Sequence, residues 1–363
     1  MYLHLVETRT GTAQKGRGAV TNHAGRFEPS STEVFDDGWG SQDGDLPPFP
    51  TVVQPEETRR IISTNTSPDV AFTQSINPYK GCEHGCIYCF ARPTHAYLGL
   101  SPGLDFETKI FSKPTAPELL GKELSRRSYI PRVLALGANT DPYQPAEGRL
   151  RITRKILQVL EERGHPVGII TKSARVVRDI DILGRMASKN LVRVHISITT
   201  LKPELARRME PRAASPARRL ETVRRLTAAG VPVSVLASPM IPALNDSELE
   251  DILEAAQQAG ATSAGYILLR LPREVAPLFS DWLKHHYPDR KEHVLDLLRS
   301  THNGTLYESE FGTRMAGSGP YANLLSKRFQ LAKRRLRLDR PPPQLSLEHF
   351  SRPEKKSPQL ALF

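Results

Sequence analysis

From about residue 71 onward, short runs of aliphatic and β-branched residues alternate with amphipathic stretches. Repeated βα units around a parallel sheet produce this pattern. The strand candidates are AFTQSI (71–76), RVLALG (132–137), PVGIIT (166–171), VRVHISIT (192–199), PVSVLAS (232–238) and AGYILLRL (264–271). The intervening helices have legible ends. Ser215 followed by Pro216 opens a segment whose Leu220, Val223 and Leu226 share a face, and Gly230 follows its last turn. Asn245 with Glu248 three residues later predicts a capping box ahead of Leu249, Ile252, Leu253 and Ala256, with Gly260 as the stop. Six such units predict an α/β protein built as an open, partial (βα)6 TIM-type barrel, with chemistry at the carboxyl ends of the strands.

Outside this core the pattern fades. Residues 1–70 show neither helical nor strand period and predict an irregular N-terminal extension before a barrel over 71–271. A helical C-terminal subdomain is expected over 272–326 (EVAPLFSDWLKHHY, then HVLDLLRS). A basic, proline-rich tail is expected over 327–363, with KRFQLAKRRLRLDR as a basic helix running into a proline stretch and then a disordered end.

Composition changes the picture in three ways. With 39% hydrophobic and 25% charged residues the chain fits a soluble globular protein. The start lacks a signal-peptide pattern and no run approaches the roughly 18 apolar residues of a membrane helix, so the expected location is the cytoplasm and no membrane partner is expected. A formal charge of +11 favours polyanionic partners, nucleic acid first among them.

The 3 cysteines all fall in NPYKGCEHGCIYCFARP, directly after the first strand candidate, as Cys82, Cys86 and Cys89. An odd, clustered set suits a metal or cluster site better than disulfides. Gly81 and Gly85 let the backbone wrap such a centre. An iron-sulfur cubane takes four ligands, so three thiolates leave one iron open to a substrate or cofactor. Zinc is the alternative, with His84 or His95 as fourth ligand.

Strand alternation marks further cavity residues. In VRVHISIT, Val194, Ile196 and Ile198 share one face, and His195, Ser197 and Thr199 share the other. Polar side chains are costly against a covering helix, which points the second set inward. His195 also fits a hydrogen-bonded core histidine. Arg270 shares a face with Tyr266 and Leu268 at the end of the last strand and is a candidate for an anionic group.

The C-x3-C-x-aromatic-C pattern resembles the radical S-adenosylmethionine (SAM) superfamily. Within it, INPYKGCEHGCIYCFARPTHAYLG, LGANTDPYQPAE, TKSARVVRD, ISITTL with MEPRAASPARRL, and SPMIPALND resemble the spore photoproduct lyase-like proteins, often labelled DNA repair photolyase. The likeness runs from about Lys15 to Tyr321. It implies that Cys82, Cys86 and Cys89 hold a [4Fe-4S] cluster, and that SAM chelates its unique iron and yields a 5'-deoxyadenosyl radical. It places Tyr88 beside cluster and adenine, Asn139 and Asp141 at the methionine amino group, Lys172 at the carboxylate, and Ser197 at ribose or carboxylate. The bland readings are a buried aromatic for Tyr88, an Asx turn for Asp141 and a surface lysine for Lys172. A lyase acting on DNA or in its repair is implied, with flavodoxin or ferredoxin as electron donor. One departure stands out: spore photoproduct lyases use a further cysteine as hydrogen donor, and here all three lie in the cluster loop. Tyrosine or regenerated SAM would have to serve. The rival functions are a radical enzyme modifying a protein or metabolite, and a zinc-dependent nucleic-acid module without activity.

A charge feature and a terminal peptide complete the reading. Arg207, Arg208, Arg212, Arg218, Arg219, Arg224 and Arg225 are expected to line a phosphate-binding face. The terminal PQLALF resembles the bacterial sliding-clamp-binding peptide, with Gln359, Leu360, Leu362 and Phe363 as anchors; QLSLEHF, with Gln344, Leu345 and Leu347, is a weaker copy.

Overall fold

A computed structural model describes residues 16–27, 50–341 and 344–352. All six strand candidates form strands: β1 (Gln74–Ile76), β2 (Leu134–Leu136), β3 (Val167–Thr171), β4 (Val192–Ser197), β5 (Val233–Met240) and β6 (Ser263–Leu268). They pair in parallel in the order β6-β5-β4-β3-β2-β1, with Ile62–Thr64 added antiparallel to β1 at the edge. No ladder joins β6 to β1 among the described residues, so the barrel is open on one side.

Outward-facing strand residues and covering helices make the main core. Val194 and Ile196 of β4, Val233 and Val235 of β5 and Ile169 of β3 are buried. Against them pack Ala116–Leu124 (α1), Ile152–Glu162 (α2), Ile180–Ala187 (α3), Pro216–Ala228 (α5) and Leu249–Gln258 (α6), whereas Leu205 and Met209 of Pro203–Met209 (α4) join a second cluster with Phe279 and Trp282. The Ser215 oxygen caps α5 by accepting from the Arg218 amide, and Gly230 takes φ 75° beyond its end, as predicted.

The second helix start is built differently. The Asn245 side chain accepts from the Ile241 amide at 2.6 Å and donates to the Thr199 and Pro239 carbonyls, and Glu248 accepts from Thr200 and the Leu201 amide. Both residues of the expected capping box tie the β4 and β5 loops together instead, and α6 begins after a 3₁₀ turn at Asp246–Glu248. Tertiary partners outcompete the local cap because they satisfy buried groups that water cannot reach.

The two ends also differ from expectation. Within 1–70, Val52–Pro55 pairs in parallel with Lys109–Ser112, and residues 16–21 lie over the cysteine loop. Beyond Val275–His286 (α7) and Lys291–Ser300 (α8), a helix over Gly319–Arg335 (α9) crosses the expected boundary at 326/327, burying Leu325, Phe329 and Ala332 against the barrel. Residues 344–352, expected to be disordered, pack at the amino-terminal end of the barrel: Phe350 meets His165 edge-on at 5.4 Å, and the Ser351 amide donates to the Arg163 carbonyl. A short aromatic anchor was enough to hold a polar segment. The terminal clamp-like anchors Gln359, Leu360, Leu362 and Phe363 lie outside the described residues. Among the described residues no helix is long and apolar enough to cross a membrane.

Candidate functional site

The cysteine loop leaves β1 at its carboxyl end and is held by backbone-directed bonds on every side. The Cys82 amide donates to the Phe106 carbonyl, the Ile87 amide to that of Met209, and the Gln144 side chain brackets Gly81 and Glu83. Arg92, fully buried, donates to the carbonyls of Cys86, Pro102 and Gly103 and to the Glu107 carboxylate. Glu107 also accepts the Gly18 and Ala19 amides at 2.9 and 2.8 Å, which straps the N-terminal segment across the loop. Gly85 needs its lack of a Cβ: it takes φ +67°, and a Cβ would sit 2.7 Å from the Glu107 oxygen.

All three thiols are free and line one cavity of about 990 Å³ at the carboxyl ends of the strands. Burial, with Asp141 next for Cys82 and Glu210 next for Cys86, pushes both thiol pKa values up. Iron binding requires the thiolates and would displace these protons. Among the described residues no three His, Cys, Asp or Glu side chains converge on a point as one metal ion would demand. A cubane asks something different: one thiolate for each of three irons. Three thiols on one loop facing one chamber fit that donor set. Of the two candidate zinc ligands, His95 bonds the Lys109 carbonyl at 3.0 Å outside the chamber, and His84, which lines it, holds Nδ1 3.4 Å from Asp141.

The other sequence candidates fall around the same chamber. Lys172 lies inside it rather than on the surface: its ammonium donates to Ser197 Oγ at 3.0 Å and sits 5.7 Å from the Tyr88 ring centre. Burial lowers its pKa. Asp141 forms the Asx turn, accepting the Tyr143 amide at 2.9 Å, and also accepts from Thr171 and the Lys172 amide. Burial raises its pKa, but His84 and these donors outweigh that and hold it at about 2. Asn139 lines the cavity, its amide bonded to Asn77. His195 faces inward with Nδ1 buried and without a partner, and burial followed by Arg193 pushes its pKa down to about 4. Arg270 lines the wall with its guanidinium 4.7 Å from the Phe90 ring centre.

Tyr88 is buried, and its hydroxyl donates to Glu210, a residue sequence reasoning passed over. Glu210 pairs with Arg219 and accepts from Thr199; Arg219 in turn donates to the Ser197 carbonyl at 3.0 Å. Thr199 therefore belongs to this network and is not among the cavity-lining residues. Arg219 is 2% exposed, which removes it from the expected phosphate-binding face. The signal was present, since Arg219 stands four residues before Val223 and seven before Leu226, on the buried stripe of α5. Arg208, Arg212 and Arg224 pair with Glu204, Glu83 and Glu221, while Arg207, Arg218 and Arg225 are exposed.

Residues 76–256 match the Radical SAM superfamily model. A protein of Mycobacterium tuberculosis described as uncharacterised is 37% identical over 230 residues, covering 63% of this chain and 68% of that one. One of Methanocaldococcus jannaschii, described likewise, is 27% identical over 217 residues, covering 60% and 77%. Among solved structures, spore photoproduct lyase complexed with dinucleoside spore photoproduct is similar with TM-score 0.55 at 16% identity, covering 78% of this chain and 79% of that one. A variant of the same lyase gives TM-score 0.56 at 17% identity, with 79% of each chain covered. The chain belongs to the radical SAM superfamily, whose enzymes use a [4Fe-4S] cluster and SAM. Its fold is that of the spore photoproduct lyase structures, and membership replaces the non-enzymatic zinc reading.

Proposed function

We propose that this chain is a radical SAM enzyme of the lyase-like group acting on DNA, with Cys82, Cys86 and Cys89 as the ligands of its cluster. The observation that carries the reading is the placement of three free thiols and the Lys172–Ser197 pair on one chamber at the carboxyl ends of the strands. When bound, the cluster and SAM supply a reductively generated carbon radical able to take hydrogen from an unactivated position. The chain's own residues do the rest. Lys172 offers a buried cation to the carboxylate of SAM, and Ser197, Asn139 and Asp141 present polar atoms around it. Tyr88, fixed by Glu210, forms part of the chamber wall beside the thiols. Arg270 and His195 complete the polar lining toward the substrate.

DNA as substrate is supported by the charge of +11 and by the mouth of the chamber. There Tyr97 is 66% exposed, its ring centre 5.3 Å from that of Phe27, with the Arg26 guanidinium 5.1 Å away and Arg273 donating to its hydroxyl. Aromatic faces interleaved with guanidinium groups suit stacked bases on an anionic backbone. A low-potential donor such as flavodoxin or ferredoxin would supply the electron, and a sliding clamp is a partner for the terminal peptide. Anaerobically reconstituted protein is expected to absorb near 400 nm, to release 5'-deoxyadenosine under reduction, and to bind DNA with an affinity that falls steeply with salt. Each of Cys82→Ala, Cys86→Ala and Cys89→Ala is expected to lose the cluster. Full cluster loading in any of these variants overturns the ligand assignment; salt-independent or absent DNA binding overturns the substrate class.

A further inference from the structure

The chamber does not stop at the cysteines; it continues down inside the barrel. On β4 the inward positions are Ser197, His195 and Arg193, all lining the same cavity. At about 3.3 Å per residue, Arg193 lies about 13 Å below Ser197 along the strand. The neighbours in register with Arg193 are small: Gly168 on β3, Ala135 on β2 and Ser75 on β1, each also lining the cavity. A Cβ built on Gly168 would meet only Arg193 Nε, at 3.8 Å. The strands leave room beside a guanidinium.

That guanidinium is unusual among the arginines of this chain. Arg92, Arg154, Arg178, Arg219 and Arg328 each meet a carboxylate. Arg193 is half-buried; among the described residues its fully buried Nε has no hydrogen-bond partner, and burial lowers its pKa with no carboxylate opposing. Two residues above it, His195 Nδ1 is also buried without a partner. An unpaired cation and an unpaired imidazole side by side are costly to keep unless something fills the space between them.

We propose that Arg193 and His195 form an oxyanion subsite at the inner end of the chamber, which takes the phosphate or carboxylate end of a ligand whose other end reaches the cofactor. The planar fork of Arg193 suits two oxygens of such a group, and the neutral ring of His195 adds a single N–H. Phosphate and carboxylate share this chemistry. The subsite rests on the reading above only in that the same chamber admits substrate, and anion binding is scored apart from SAM cleavage and DNA binding.

The test uses the full-length, cluster-loaded protein and follows its thermal unfolding and calorimetric titration with inorganic phosphate and, separately, acetate. One or both anions should raise the unfolding midpoint; which of them does so distinguishes a phosphate from a carboxylate ligand. Arg193→Met should weaken that binding at least about tenfold, and Arg127→Met, at an exposed position outside the cavity, should leave it in place. Without anion, Arg193→Met should be at least as stable as the parent, because it removes an unpaired buried charge. Gly168→Val keeps the cation and fills the space, and it too should lose the response. The proposal is overturned by no stabilisation with either anion, by an unchanged response in Arg193→Met or Gly168→Val, or by lower ligand-free stability of Arg193→Met, which would mark the arginine as structural. SAM binding by Arg193→Met with anion binding lost separates this subsite from the cofactor site.

Discussion

Removing either partner of the Arg219–Glu210 pair should cost more than any surface change in this protein. Both side chains are buried at 2% and 0% exposure, and Arg219 also donates to the Ala214 and Ser197 carbonyls at 2.8 and 3.0 Å. Arg219→Met leaves the Glu210 carboxylate with only the Tyr88 and Thr199 hydroxyls, and takes the guanidinium from the buried Ser197 carbonyl. Breaking a buried pair from one side typically costs about 3–5 kcal/mol, a large part of the roughly 5–15 kcal/mol that holds a domain folded. Burial already raises the Glu210 pKa, so the stranded carboxyl can take up a proton, and the lower end of that range is expected. Glu210→Gln should cost a similar amount by leaving the guanidinium unpaired. The double variant Arg219→Met/Glu210→Gln should cost less than the sum of the two by at least about 2 kcal/mol, because no uncompensated charge remains. Urea unfolding of the four proteins measures all three quantities. Single-variant losses below about 1 kcal/mol, or strict additivity, would show that the pair does not hold Tyr88 and β4 together.

Three further outcomes are expected. His165 is buried with its pKa lowered to about 4, so its contribution to stability should be complete above its unfolded value of 6.5 and fall as pH drops toward 4, by up to about 3 kcal/mol; His165→Phe should make the profile between pH 6.5 and 5 less steep, with His195 and His286 keeping the remainder, and an unchanged slope refutes the assignment. A Cβ on Gly18 would sit 1.8 Å from the Gly85 carbonyl oxygen, so Gly18→Ala should cost about 1–3 kcal/mol and speed proteolysis near residues 16–27; equal cleavage rates would refute the strap. Reversing exposed Arg207, Arg218 and Arg225 to Glu should weaken DNA binding and lower the dependence of log affinity on log salt by about 0.9 for each phosphate no longer neutralised. Unchanged affinity and slope would place the DNA elsewhere.

Much of this architecture was written locally in the chain. Short aliphatic and β-branched runs marked all six barrel strands, because strands of a parallel sheet covered by helices read as apolar runs, and the Ser215-Pro216 start with Gly230 beyond marked α5 from residues within a turn of its ends. The cysteine spacing pointed to the cluster loop for the same reason: ligands a few residues apart need no tertiary structure to be recognised. What lay beyond local pattern was decided by partners far away in sequence. Asn245 and Glu248 look like a cap, yet buried carbonyls and amides from the β4 and β5 loops claimed both. The burial of Arg219 was legible from its place on the apolar stripe of α5, but its partners, Glu210 and the Ser197 carbonyl, were not. Residues 16–21 and 344–352 have no period at all, and they are ordered by Glu107 and by His165 with Tyr129, groups 88 or more and about 185 or more positions away. Hydrophobic period records which face is buried; it carries no information about which distant polar group will be waiting there, and that pairing was settled only when the open barrel curved around its chamber.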